Sequence, residues 1–454
     1  MHGRAAVRVA AGLALLAACA VPSDAPPTAV AGDLLGGTPA LAAEEPFEVW
    51  LVDQSNSRGL AYGGAIHVWD GSELVGASAD RAVPRTVIDL AGETDALCMA
   101  STGAHPVRPH MLALNATQSH AVLSFVASGH VVFFDAASRR PVACLRSAPG
   151  AGGARQAHAA IPSPDDAYVL IANQNGKQLE RIRTDYASNT FVLESGATLN
   201  LATCTTPSGQ PCESPALRPD NAPICPPISR TGDHAWVTLR GGGLFVVSTR
   251  ATPMRILAEY DRATVHGNGC GGNDVGGHMY INSGGGTASN LTEFDVYQFP
   301  LDGYAEANPP NVPSPRLVFS RDGEPHRDAH RMLPMKGGRH LWAFDRGTNV
   351  AEVLDAVSGA HLGTVDLASA LSADPTPDLA ELSPSGNRIF MTLRGPNPLS
   401  GDPHVSTGST PGLGVFQVEA GGRRGVMKAV VRISNLDAAG VERADPHGIQ
   451  VRRR

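Results

Sequence analysis

Three observations on the 454-residue sequence predict an all-β chain built from a repeated four-stranded unit. Short apolar, β-branched runs recur between turn residues along nearly the whole chain, at the spacing of an all-β array. Glycine and proline, 50 and 35 residues, form nearly a fifth of the sequence. That argues against a helical bundle, where each costs roughly 1 to 3 kcal/mol at an interior position. Only 17% of the residues are charged and 42% are apolar, enough to fill a sizeable core. The net charge of −7 also argues against a nucleic-acid partner, which requires a basic footprint.

The N-terminus comes first. Residues 1–18, MHGRAAVRVAAGLALLAA, place Arg4 and Arg8 before an apolar run too short to span a bilayer, the anatomy of a secretory signal. The run closes on Leu16-Ala17-Ala18-Cys19, which resembles a bacterial lipoprotein box. Its small residues admit a peptidase, and the Cys19 thiol accepts the diacylglyceryl group. Acyl chains would then anchor the chain to a membrane. Residues 19–46 are rich in Pro, Ala and Gly and read as a tether, so the folded domain is expected over 47–454. The implied address is the bacterial cell envelope, in the periplasm or at the cell surface.

Six units of four strands follow, starting near His110, His158, Ile224, His266, His330 and Asp378. In the clearest, HAAIP, AYVLIANQN, GKQLERIRTD and TFVLESG are strands and SPDD is the first turn. Radially repeated four-stranded sheets are the blades of a β-propeller. A seventh blade is expected from both termini, EVWLVDQSN, GAIHVWDG and PRTVIDL gaining a first strand from DPHGIQV. Such closure removes two exposed edges and makes a monomer self-sufficient. Six or eight blades stay open, because the unit containing Cys270 is irregular. Residues 197–223 read as an insertion.

SPDDAYVLIANQNGKQLERI, SPSGNRIFMTLRG and GTNVAEVLDAVSGAHLGTVDL resemble YVTN-type β-propeller repeats of lactonase-like and surface-layer-like proteins. The resemblance implies a propeller in an exported bacterial protein. It does not imply a function, since that scaffold carries binding proteins, lactonases and redox enzymes.

Aligned on their turns, the units begin at His110, His158, Cys225, His266 or Cys270, His330, Asp378 and His447. Innermost strands line a propeller's central channel, so these residues are expected to converge there. Imidazoles, thiolates and carboxylates are ligands for copper, zinc and other divalent metals. His110, His158, His266, His330, His447 and Asp378 are therefore candidate metal ligands, and Cys225 and Cys270 candidate channel thiols. A structural or solvent-facing role for the same histidines stays open. Histidine-lined channels occur in copper-binding methanethiol oxidase, its selenium-binding relatives and nitrous oxide reductase; the similarity is to that arrangement only.

The six cysteines after Cys19 are an even number in an exported chain. Cys204 and Cys212 flank a Thr-Pro-Ser-Gly reversal and are paired in this reading. The glycine-rich run VHGNGCGGNDVGGHMYINSGGGTASN reads as a loop over the channel mouth or a wide connection. DGSE, SRDGEPHRD and the RRR terminus read as solvated. No G-x-S-x-G or H-E-x-x-H occurs, which weakens serine-hydrolase and zinc-protease readings. Three functions remain: a binding or scaffold lipoprotein for an unknown protein or small molecule, a copper-dependent oxidoreductase, and, more weakly, a lactonase-like hydrolase.

Overall fold

The computed structural model describes residues 44–287, 290–304, 312–399 and 407–454. Residues 1–18, Cys19 and nearly all of the expected tether lie outside them. The described chain is all-β with few short helices. Its sheets are antiparallel meanders laid down largely in chain order.

One sheet runs Pro446–Arg453, Phe47–Asp53, Ala65–Asp70, Thr86–Asp89, joining the two ends of the described chain. The next runs Pro109–Leu114, His120–Phe125, His130–Asp135, Arg140–Arg146. It is followed by Ala157–Pro162, Tyr168–Asn173, Gln178–Asp185 and Thr190–Leu193, with Leu199–Asn200 added beside the third strand. A three-stranded sheet, His234–Thr238, Leu244–Ser248 and Arg255–Tyr260, has only isolated bridges from Pro223 and Ile228 along its inner edge. An eight-stranded sheet contains two meanders, Gly272–Val275 to Arg316–Ser320 and Arg327–Pro334 to His361–Asp366. A two-residue parallel pairing at Thr292–Arg327 and Glu293–Asp328 joins them. Pro377–Leu382, Arg388–Leu393, Gly412–Glu419 and Arg424–Arg432 form the last sheet.

One turn recurs after the first strand of these units. Gln118, Asp166, Gly232, Gly338 and Gly386 each take positive φ and donate N–H to the carbonyl three residues back. Asn, Ser and Gly in these turns are the residues that tolerate or support such a reversal. Apolar side chains of consecutive sheets then interleave. Trp50, Val52 and Ile66 pack against Leu123, Phe125 and Phe134, while Phe47, Val49 and Leu51 pack against Phe390, Leu413 and Val431. Each such side chain contributes about 1.5 to 3 kcal/mol. First strands of neighbouring units touch edge to edge: Pro109–Leu114 meets Ala157–Pro162 and Pro446–Arg453, which meets Pro377–Leu382, which meets Arg327–Pro334.

Several expectations are corrected. The glycine-rich run is a connection only up to Gly271; from there it forms Gly272–Val275 and the hairpin strand His278–Thr287. A Cβ at Gly269 would overlap the Asn282 carbonyl and one at Gly284 the Ala329 carbonyl, so these glycines permit close backbone approach. DGSE starts a helix, Gly71–Val75, with Asp70 accepting from Ser72 N. The arginine terminus is anchored: Arg452 reaches Glu48 at 3.3 Å and Arg454 pairs with Asp70. A helix over Glu93–Thr102 is absent from the sequence reading, and disulfide Cys98–Cys144 ties it to the neighbouring sheet. Cys204 and Cys212 are bonded within the 197–223 segment.

Candidate functional site: a buried histidine cluster

Five first strands carry an interruption of the same kind. Pairing skips His110, His158, His330, Asp378 and His447, each flanked by regular ladder on both sides. Such bulges kink a strand and re-aim a side chain. In four units a small polar residue on the second strand bonds inner backbone groups. Thr392 Oγ1 accepts from Leu379 N and donates to His447 O; Ser124, Thr238 and Asn282 stand at equivalent places and donate to His158 O, Gly269 O and His330 O. Each therefore links its own unit to the inner segment of the next.

The re-aimed side chains meet. The His110 ring stacks on His447 with centroids 3.8 Å apart, His158 lies edge-on to His110 at 4.7 Å, and His330 is 5.5 Å from His447. All four are at least nine-tenths buried, and Asp378 is 1% exposed. His266 is not among them. It sits before its unit's first strand and bonds Asp295 instead; Cys270 occupies the inner position there. Cys225 and Cys270 are not free thiols: their Cα atoms are 5.1 Å apart and the sulfurs form a disulfide. Adjacent inner positions bring them together, and Cys225 Sγ lies 4.0 Å from His158 Nδ1.

The hydrogen-bond partners define the tautomers. Gln54 Nε2 donates to the Asp445 carboxylate at 2.7 Å, which orients the amide so that Oε1 faces His110. His110 Nδ1 therefore donates to Gln54 Oε1 at 2.9 Å, and its buried Nε2 has no hydrogen-bond partner. His158 Nδ1 donates to Ile224 O at 2.9 Å. His447 Nδ1 donates to Asp378 Oδ2 at 2.6 Å, and His330 Nδ1 contacts Asp378 Oδ1 at 2.6 Å, outside hydrogen-bond alignment. In His110, His158 and His447 Nδ1 donates to a protein acceptor, which makes Nε2 the basic nitrogen.

Asp378 is the hub. Arg394 donates to its Oδ2 at 2.7 Å and Arg346 to its Oδ1 at 3.1 Å. Arg394 also grips Asp445 with two bonds of 2.6 and 2.8 Å, and Arg346 grips Asp328 at 2.7 Å. Burial works to raise the Asp378 pKa, but His447, His330, Arg394 and Arg346 together hold it well below the usual carboxylate range. Burial, then repulsion from His447 and His158, pushes His110 well below 6.5. Burial also lowers His447, against the pull of Asp378. His110 and His447 are therefore neutral at pH 7.

Gln54, Arg346, Arg394 and Asp445 escape the sequence reading. A signal for the arginines exists: Arg-Gly ends the second strand in VTLRG, AFDRG and MTLRG. Two of the three reach Asp378, whereas Arg240 pairs with Asp220.

No family model and no curated protein matches the sequence. Solved structures match in fold. A hypothetical selenium-binding protein from Sulfolobus tokodaii has a TM-score of 0.59 at 10% identity, covering 90% of this chain and 94% of that one. A protein from Lactobacillus plantarum has 0.55 at 11% identity, covering 89% and 99%. A functionally unknown protein from Desulfotomaculum acetoxidans has 0.50 at 12% identity, covering 86% and 98%. At such identities the likeness is one of architecture. The class is that of β-propeller proteins, whose members bind and catalyse in many ways.

Proposed function

We propose that the chain is a seven-bladed, cell-envelope β-propeller lipoprotein that binds a transition-metal ion, copper foremost, through Nε2 of its central histidines. The observation that carries this is a shared orientation: His110, His158, His330 and His447 all turn Nδ1 to a carboxylate, amide or backbone oxygen, and the first two and His447 donate to it. That is the outer-shell arrangement of metal-ligating histidines. Imidazole donors suit copper, zinc and nickel. Asp378 then orients two ligands; with two arginines and two histidines against its oxygens, it offers little to the calcium-type site of a lactonase-like hydrolase.

The count of seven rests on dividing the eight-stranded sheet at its short parallel pairing and on the sheet shared by the two chain ends. Export and lipid anchoring rest on the run preceding Cys19. Elemental analysis and copper titration of the full chain test the metal. His158→Ala and His330→Ala are each expected to abolish stoichiometric copper; unchanged stoichiometry in both leaves a binding or scaffold module without metal. Substrate turnover that depends on the copper would extend the reading to an oxidoreductase.

A further inference from the structure

We propose that His266, Asp295 and Asp322 form a second metal site, for a divalent ion of the Mn²⁺ or Zn²⁺ type. The argument is independent of the central histidines. His266 Nδ1 lies 2.7 Å from Asp295 Oδ2 and 3.5 Å from Asp322 Oδ2. One ligand atom from each of the three residues falls within 4.8 Å of the other two. His158, Cys225 and Cys270 satisfy the same spacing, but their sulfurs are spent on a disulfide.

The fold builds this site from three segments. Asp295 stands mid-strand with Ser283 and Ser320 opposite it on the two neighbouring strands, and its Oδ2 accepts from Ser283 Oγ at 3.4 Å and Tyr297 OH at 3.2 Å. His266 is held by its backbone N–H, which donates to Tyr297 OH at 3.1 Å. The turn bearing Asp322 is pinned by Arg321 N to Phe294 O and Gly323 N to Thr292 O.

Two further observations point to a ligand. Asp295 is 1% exposed, yet its Oδ1 has no hydrogen-bond partner, which is costly for a buried carboxylate. Among the described residues, moreover, no arginine or lysine forms an ion pair with Asp295 or Asp322, and Glu293 adds a third carboxylate within electrostatic reach of both. Among the described residues, the cation placed against both carboxylates is thus the His266 imidazole itself. Mixed nitrogen and carboxylate donors suit zinc and manganese, and His266, about one-third exposed, leaves a path for entry.

Electron paramagnetic resonance of Mn²⁺ added to the full chain, with Zn²⁺ as competitor, tests the site. One saturable Mn²⁺ displaced by Zn²⁺ is expected, with affinity falling at least ~10-fold in His266→Gln and in Asp322→Asn. Asp322 is exposed, so that variant keeps its fold even where Asp295→Asn does not. His158→Ala should leave this binding intact. Binding lost in His158→Ala but kept in His266→Gln and Asp322→Asn would overturn the proposal, as would no saturable binding up to about 1 mM.

Discussion

Two aspartate–histidine pairs in this protein have nearly the same length and opposite behaviour. His447 sits 2.6 Å from Asp378 and His266 sits 2.7 Å from Asp295. Yet the His447 pKa is lowered, chiefly by burial, while that of His266 is raised, chiefly by its bond to Asp295. The difference lies in what else each carboxylate serves. Asp378 shares its charge with two arginines and a second histidine inside a sealed cluster, so little is left to stabilise an imidazolium. Among the described residues Asp295 has no guanidinium paired with it, and its histidine is part-exposed. A short Asp–His contact therefore does not by itself predict a charged histidine; competition for the carboxylate decides it.

The comparison breaks most completely if the chain end is removed. Deleting Asp445–Arg454 takes away His447, the carboxylate gripped by Arg394 and the strand paired with Phe47–Asp53. Its ladder bonds contribute roughly 0.5 to 1.5 kcal/mol each, and Ile449 about 1.5 to 3, a sum near the ~5 to 15 kcal/mol of a whole domain. An insoluble product, or a collapsed thermal melt, is expected; a truncation that melts normally would show the shared sheet to be dispensable.

Next in size is the hub. Asp378→Asn leaves Arg346 and Arg394 partly uncompensated in the interior and should cost about 3 to 5 kcal/mol in denaturant unfolding. Asp295→Asn should cost about 1 kcal/mol, since no buried arginine depends on it. Equal losses would mean that the two carboxylates play the same role.

A pH series sharpens the contrast. His110 and His447 have folded pKa values below 6.5, so their contribution is present above 6.5 and is lost as pH falls from there toward the folded values. His266 has a folded value above 6.5, so its contribution is complete below 6.5 and is lost as pH rises through that folded value. Histidine NMR titration should therefore show His266 protonating before His110 and His447 on acidification. The smallest effect belongs to exposed Asp322: Asp322→Asn should leave stability within about 0.5 kcal/mol in the same unfolding assay.

Much of this was legible in the residues, and the limits have physical causes. Inner-strand starts could be aligned because each inner strand runs into a repeated turn, and four aligned histidines meet as neighbours in space. His266 looked equivalent because it opens its unit, but that unit's connection runs four residues longer before reaching the inner position at Cys270. The two cysteines looked like thiols because their partners lay 45 residues apart, invisible until adjacent units were packed. Asp322 sat in SRDGEPHRD, whose composition is that of any solvated turn.

What the sequence determined by itself is local: strands from apolar β-branched runs, and reversals from Asn, Asp, Ser and Gly at fixed offsets. Both depend on neighbours a few residues away, so the repeat carries its own instructions. Partnership was decided only by the tertiary structure. Gln54 meets His110 across 56 positions and Arg394 meets Asp445 across 51. Burial then turned those meetings into chemistry, because the solvent that would screen each charge is excluded where the inner strands converge.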